Sequence, residues 1–174
     1  MEPVRESVRE SIRVGVLTVS DRCSRGERED LSGPAIRDAL AGGQFVIALE
    51  AVVPDDKRAI ADTLRRWCDE YGCDVVLTTG GTGLGPRDVT PEATQKVLDR
   101  DAPYLSQFLL SEGLKQTPFA ALARGVAGLR GATLVVNLPG SPSGARDGAA
   151  CLAPLLPHAV DVLRARETDH PTGL

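Results

Sequence analysis

Two aspartates and a run of glycines carry most of the chemistry this sequence offers. Asp55 stands in Pro54-Asp55-Asp56-Lys57, and Asp88 closes Gly80-Gly81-Thr82-Gly83-Leu84-Gly85-Pro86-Arg87-Asp88. Four glycines in the six residues from Gly80 to Gly85 let the main chain approach a ligand, and bare N–H groups there can cradle a phosphate. A tight strand-to-helix turn with positive φ is the plainer reading of the same residues. Two standard phosphate loops are excluded: GxGxxG cannot be placed on the segment, and Pro86-Arg87 stands where a Walker A loop needs Lys-Ser/Thr. Two carboxylates beside a phosphate repel it. A Mg²⁺ ion between them removes the conflict, because carboxylate plus phosphate is ordinary magnesium coordination. Asp55 reads equally well as the N-cap of a helix starting at Asp56 or Lys57. Asp88, two residues before Thr90, is harder to explain as a cap. Arg22, Arg25, Arg28, Lys57 and Arg87 would balance the remaining charge, though each alone reads as a solvated surface residue. A last loop, Leu138 to Gly144, enters a helix at Ser141, where free N–H groups suit an anion. Pro139-Gly140 by itself reads as a turn.

The elements that must position these residues alternate along the chain. Short Val-rich runs at Arg13–Ser20, Phe45–Val53, Asp74–Thr79 and Ala132–Asn137 predict buried strands. Between them fall helices. Ser32–Leu40 has Ser32 as N-cap and Pro34 in its first turn, and stops at Gly42-Gly43. Asp56–Tyr71 carries Ile60, Leu64 and Trp67 on one stripe. Thr90-Pro91 opens another helix, Thr117-Pro118 repeats the device before a helix over Phe119–Leu129, and Ser143–Arg164 is helical with a break near Pro154. Strands joined by helical crossovers predict a doubly wound α/β fold: a mostly parallel sheet with helices on both faces. The unusual loops all follow strands, so they emerge at the carboxyl edge, where such sheets bind ligands.

Composition narrows the function classes. A net charge of −4 argues against nucleic-acid binding. Aromatics make up 3% of the chain, so the core must be aliphatic. The segment Met1–Ile12 has no apolar stretch of the signal-peptide kind, and no run is long enough to span a bilayer. A reducing, cytoplasmic setting is therefore expected for Cys23, Cys68, Cys73 and Cys151. They form no CxxC pair, and the two histidines, His158 and His170, lie near the end of the chain, so a Cys/His zinc site is not expected.

Taken in order, the motifs resemble the MogA/MoaB family of molybdenum-cofactor biosynthesis, to which the G domains of gephyrin also belong. The matching pieces are Ser20-Asp21 with Ser24 and Gly26, Ser32-Gly33-Pro34, Pro54-Asp55, Thr79-Gly80-Gly81-Thr82-Gly83, Arg87-Asp88-Val89-Thr90-Pro91-Glu92-Ala93, and Asn137-Leu138-Pro139-Gly140-Ser141-Pro142. The resemblance runs from about Arg13 to Leu163. It implies one three-layer molybdopterin-binding domain over residues 13–165, with flexible termini at 1–12 and 166–174. It implies transfer of AMP from MgATP to the terminal phosphate of molybdopterin with release of pyrophosphate. Asp55 and Asp88 would then serve both catalysis and Mg²⁺. The nucleotide site would comprise Gly80, Gly81, Thr82, Gly83, Asn137, Pro139, Gly140 and Ser141. The molybdopterin site would comprise Ser20, Asp21, Ser24, Arg25, Gly26, Glu112 and Lys115. Gly113 departs from the serine that some adenylating members carry. A homotrimer, alternatively a hexamer, and a MoeA-type molybdate-insertion partner are implied as well, with no nucleic-acid or membrane partner. Two other readings remain. One is a non-catalytic molybdopterin-binding or scaffold protein, which intact Asp55 and Asp88 disfavour. The other is a nucleotide pyrophosphatase of the competence-damage type, which single-domain length disfavours.

Overall fold

A strand buried along nearly its whole length needs cover on both faces, and β1 (Ile12–Val19) is such a strand. The computed structural model describes residues 11–165. After β1 come α1 (Asp21–Ser24), α2 (Ser32–Leu40), β2 (Phe45–Val53), α3 (Lys57–Asp69), β3 (Val75–Thr79), α4 (Thr90–Gln95), β4 (Arg100–Asp101) and α5 (Pro103–Gln116). A 3-10 turn (Pro118–Leu122), β5 (Ala127–Arg130), β6 (Thr133–Leu138), α6 (Pro142–Leu152) and α7 (Leu156–Leu163) complete the order.

The strands form one six-stranded sheet in the order β2-β1-β3-β6-β5-β4. The pairs β1–β2, β1–β3 and β3–β6 are parallel, and β5 runs antiparallel to both its neighbours. Period-two alternation sends successive side chains to opposite layers. Val14, Val16, Leu77 and Val136 pack with Ile36 of α2, Leu152 of α6 and Leu156 of α7. Leu17, Val19, Val76 and Val135 meet Ile60, Leu64 and Trp67 of α3 and Ala93 of α4. The fold is the doubly wound, mostly parallel α/β architecture that the sequence predicts. Trp67 fits because Gly15 has no side chain: a Cβ there would lie 2.6 Å from the indole. Asp74, one residue before β3, accepts the Arg13 N–H at 2.8 Å and both arms of Arg164, tying the end of α7 to the sheet.

Three expectations change. The helix read over Phe119–Leu129 is a 3-10 turn, open chain and then β5. Gly131, at φ +54°, turns β5 straight into β6, so Arg130 pairs with Thr133 in a tight hairpin that overrides helical spacing. Helix α5 goes unforeseen because its apolar residues fall on all faces: Leu105 and Leu109 meet the core while Tyr104, Leu110 and Leu114 are exposed, and none of its residues is fully buried. Ile12, assigned to a flexible arm, opens β1 opposite Phe45 and is buried. Apart from Ser11 and Ile12, the termini 1–12 and 166–174 lie outside the described residues.

Candidate active site

From β1 the chain moves to β2 on one side, and β3 then lies on the other. The carboxyl ends of β1 and β3 are therefore a topological switch point, where successive loops part and leave a crevice. A cavity of about 550 Å³ opens there, with Ser20, Asp55, Gly80, Gly81, Asp88 and Gly140 on its walls.

The glycine loop is held from several directions. Gly80 has φ +99°, and a Cβ on it would lie 2.2 Å from the Val19 carbonyl oxygen, so no other residue fits. The Thr90 hydroxyl donates to the Gly80 carbonyl at 2.9 Å, and the Thr90 N–H to that of Gly81 at 3.0 Å. Thr90 thus pins the loop and does not cap α4, whose N-cap Val89 makes no side-chain bond. The Thr79 hydroxyl donates to Pro139 O at 2.6 Å, and the Ser32 hydroxyl to Gly140 O at 2.9 Å. Ser32 likewise is not a cap: the Asp30 carboxylate accepts the N–H groups of Ser32 and Gly33 at the start of α2.

The two readings of Asp55 are now separable. Asp56 caps α3, accepting the Ala59 N–H at 2.8 Å. Asp55 is left for other work. Its Oδ2 accepts the Asp21 N–H at 2.7 Å, while Asp21 Oδ1 accepts the Asp55 N–H at 3.0 Å. Arg87 reaches over to grip both Asp21 oxygens at 3.0 Å. Burial, the main cause, pushes the Asp55 carboxyl above the ordinary aspartate range, and the neighbouring charges of Asp21 and Asp88 add to it. Asp21 goes the other way. Partial desolvation works against its ionisation, but the Arg87 guanidinium and the Asp55 N–H together hold it below the usual range. Asp88 Oδ2 accepts the Gly85 N–H at 2.8 Å. Gly83 and Gly85 let the loop wrap that closely, since a Cβ on either would come within 2.9 Å of the carboxylate.

A second cavity of about 430 Å³ lies between α5, the 3-10 turn and the start of α6. Thr82, Asn137, Pro139 and Glu112 line it, and Ser141 lines both cavities. The predicted nucleotide residues thus divide, with Gly80, Gly81 and Gly140 in the first cavity. Asn137 is buried and its side chain is committed: the amide donates to Thr78 and Thr94 hydroxyls, and its oxygen accepts the Val126 N–H. It braces the loop instead of offering a side chain to a ligand. The anion cradle expected at Ser141–Gly144 is also reduced, because Pro142 has no N–H and the Gly144 N–H bonds to Ser141 Oγ at 3.1 Å.

Of the predicted molybdopterin residues, Ser20 lines the first cavity and Glu112 the second. Asp21, Ser24, Arg25, Gly26 and Lys115 line neither, and nor does Gly83 from the nucleotide set. Ser24 donates to Asp21 O, Arg25 pairs with Glu27 at 2.7 Å, Gly26 ends α1 at φ +72°, and Lys115 pairs with Glu112 at 2.6 Å. Arg28, expected only to balance charge, and Ser32, expected as a helix cap, both line the first cavity. For Ser32 the clue was there in the Ser-Gly-Pro motif, read as a helix cap.

Comparison with known proteins settles the family. The model described as "Probable molybdopterin binding domain" matches residues 15–158. The chain belongs to the molybdopterin-binding domain family. A molybdopterin adenylyltransferase of Helicobacter pylori is 42% identical over 158 residues, covering 88% of this chain and 89% of that one. The molybdenum cofactor synthesis protein cinnamon of Drosophila melanogaster is 46% identical over 156 residues, where this chain spans 26% of the larger protein. Among solved structures, the molybdopterin biosynthesis enzyme MoaB of Thermus thermophilus superposes with a TM-score of 0.85 at 52% identity, covering 91% of this chain and 99% of that one. The molybdopterin-binding domain match runs from β1 into α7 and so takes in both cavities.

Proposed function

We propose that this chain is a molybdopterin adenylyltransferase of molybdenum-cofactor biosynthesis. It transfers AMP from MgATP to the terminal phosphate of molybdopterin. A bond forms between that phosphate oxygen and the α-phosphorus of ATP, the α–β bridge breaks, and pyrophosphate leaves. The observation that carries the reading is the pair Asp55 and Asp88 in one cavity under the glycine loop, next to a second cavity that shares Ser141.

The residues present fit Mg²⁺. Asp55 and Asp88 each spend one carboxylate oxygen on an N–H, and the other has no hydrogen-bond partner among the described residues. Among those residues no group of three or more His, Cys, Asp and Glu side chains gathers to hold a metal. Two carboxylates with phosphate and water oxygens completing the shell is how magnesium is usually bound. When bound, the ion neutralises phosphate charge. The chain itself positions the reactants: a phosphate nucleophile at neutral pH needs little help from a base, so orientation and charge balance supply the catalysis.

The second cavity suits the pterin. Glu112 and Asp147 can accept N–H groups of an aminopyrimidinone ring, and Leu109, Leu110 and Phe119 offer it apolar wall. We place the phosphates in the first cavity, where Arg28 adds positive charge. We assign Asp21 and Arg25, which pair with Arg87 and Glu27, to shaping the loop. The chain works in the cytoplasm as a homotrimer and passes its product to a MoeA-type molybdate-insertion protein. Helix α5 supports the oligomer, having no buried residue while Leu114 and neighbouring Leu122 are exposed. Among the described residues, no helix is long and apolar enough to cross a membrane. Incubating the full chain with molybdopterin, ATP and Mg²⁺ tests the reading: adenylated pterin and pyrophosphate are expected in equal amounts. Pterin binding without turnover would replace the enzyme by a binding protein.

A further inference from the structure

Arg124 lies in the open chain between the 3-10 turn and β5, next to Ala123 on the wall of the second cavity. All of its bonds converge on one segment. Its main-chain N–H donates to Thr82 O at 2.8 Å. Its Nε donates to Gly83 O at 2.8 Å, and a terminal nitrogen donates to Asp88 O at 2.7 Å. The other terminal nitrogen pairs with Glu92 Oε1 in the first turn of α4. One planar side chain therefore spans the middle of the glycine loop, its end and the helix that follows. Glu92 Oε2 is buried without a hydrogen-bond partner among the described residues, so Arg124 is the side chain that anchors this carboxylate. The pairing holds Glu92 below the ordinary glutamate range.

We propose that Arg124 is a positioning residue for Asp88. It grips the carbonyls of Gly83 and Asp88 together and so fixes the direction of the Asp88 carboxylate against the first cavity. The geometry favours this over a simple surface clamp, because two of its three side-chain bonds go to loop carbonyls, one of them on Asp88 itself. A carbonyl oxygen gains little from charge alone, but a rigid fork with several donors can hold two in fixed relation. Lysine could keep the ion pair with Glu92 and could not hold both carbonyls as well. What Asp88 does with Mg²⁺ rests on the proposed function; the grip of Arg124 on the loop does not.

The test is Arg124→Lys in the full chain, with Arg130→Lys as control. Arg130 makes a comparable fork, to Asp69 and the Val97 carbonyl, away from both cavities. In the unliganded Arg124 variant, the hydrogen-bonded amides of Gly85 and Asp88 should exchange with deuterium ~10-fold faster or more, while those of β1 and β3 are unchanged. The Mg²⁺ concentration for half-maximal adenylation should rise roughly 10- to 100-fold, the usual cost of losing support behind a metal ligand. KM for molybdopterin should stay within about twofold, since no ligand contact is removed. The control should show neither change. Wild-type exchange and Mg²⁺ dependence in Arg124→Lys would overturn the proposal, and so would a molybdopterin KM rising in step with the Mg²⁺ requirement. If that variant does not fold, Glu92→Gln tests the same grip. It keeps an acceptor oxygen but loses the charge, and a several-fold higher Mg²⁺ requirement is expected; wild-type behaviour overturns the idea. If the wild-type chain makes no adenylated pterin, the proposed function falls. Loop exchange, together with Mn²⁺ affinity by electron paramagnetic resonance, then still decides the role of Arg124.

Discussion

Asp55→Asn separates chemistry from folding more cleanly than any other single change. Asparagine keeps an oxygen for the Asp21 N–H that Asp55 now accepts at 2.7 Å, and Asp56 still caps α3. Only the charge is lost. Burial, with the nearby charges of Asp21 and Asp88, holds the Asp55 carboxyl above its ordinary value even with that hydrogen bond included. The folded chain therefore binds this proton more readily than the unfolded chain does. The ionised group costs stability, and the cost appears as pH rises from the unfolded value through the folded one. At pH 7 Asp55→Asn should consequently be as stable as the parent or slightly more so, within ~0.5 kcal/mol, a change in Tm of only ~1–2 °C. Its advantage should vanish near pH 3, where the parent's carboxyl is protonated. Turnover should move much further. Losing a ligand to Mg²⁺ costs ~10²-fold or more in rate, or ~2.7 kcal/mol of transition-state stabilisation. Adenylation rate and molybdopterin affinity at pH 7, with Tm followed from pH 3 to 8, test this. Full turnover in the variant would refute the assignment. A large drop in Tm would refute the electrostatic argument.

The other predictions are simpler. Asp74→Ala should lower stability by ~2 kcal/mol, or ~4–8 °C in Tm by calorimetry, because it removes the carboxylate that accepts from both Arg164 and the Arg13 N–H. Activity per folded molecule should be unchanged. Glu92→Gln should lose stability at pH 7 and converge with the parent as pH falls below the depressed carboxyl value, because that contribution needs the ionised form; melting curves from pH 3 to 7 will show it. Light scattering should find three copies of the 18.4 kDa chain, and Leu122→Asp should shift the mass towards one. A wild-type monomer at micromolar concentration would remove the trimer from the proposal.

What the sequence revealed was what local pattern controls. Each of the four parallel strands is a Val-rich run between turn residues, so each was legible, and the carboxyl-edge loops followed from topology alone. Asp55, Asp88 and Gly80–Gly81 could be brought to one cavity by that argument without any side-chain detail. What failed depended on long-range pairing. The β5–β6 hairpin exists because Gly131 turns and β6 already has a place in the sheet, and no periodicity in Ala123–Arg130 announces it. Caps were misplaced by one or two residues for a related reason. Ser32 and Thr90 have hydroxyls suited to capping, but loop carbonyls at Gly140 and Gly80 compete for them across long stretches of chain. Arg124 was hidden inside the misread helix. Its role depends on a loop more than thirty residues earlier, a distance that spacing rules do not reach.

The electrostatics of the first cavity give that arrangement its logic. Asp55 and Asp88 line the cavity where phosphates are proposed to bind, and the charges of Asp88 and of Asp21 behind the wall both raise Asp55. Unliganded, the chain answers this repulsion with Arg87, which spends both of its arms on Asp21 while remaining largely exposed. With Arg87 largely exposed the pair is worth little, so a polyphosphate can win the guanidinium from Asp21 at small cost. Asp21 would stay tied to Asp55 through their exchanged N–H bonds. If nucleotide binds as proposed, Arg87 is the counter-ion that would change partner from Asp21 to phosphate.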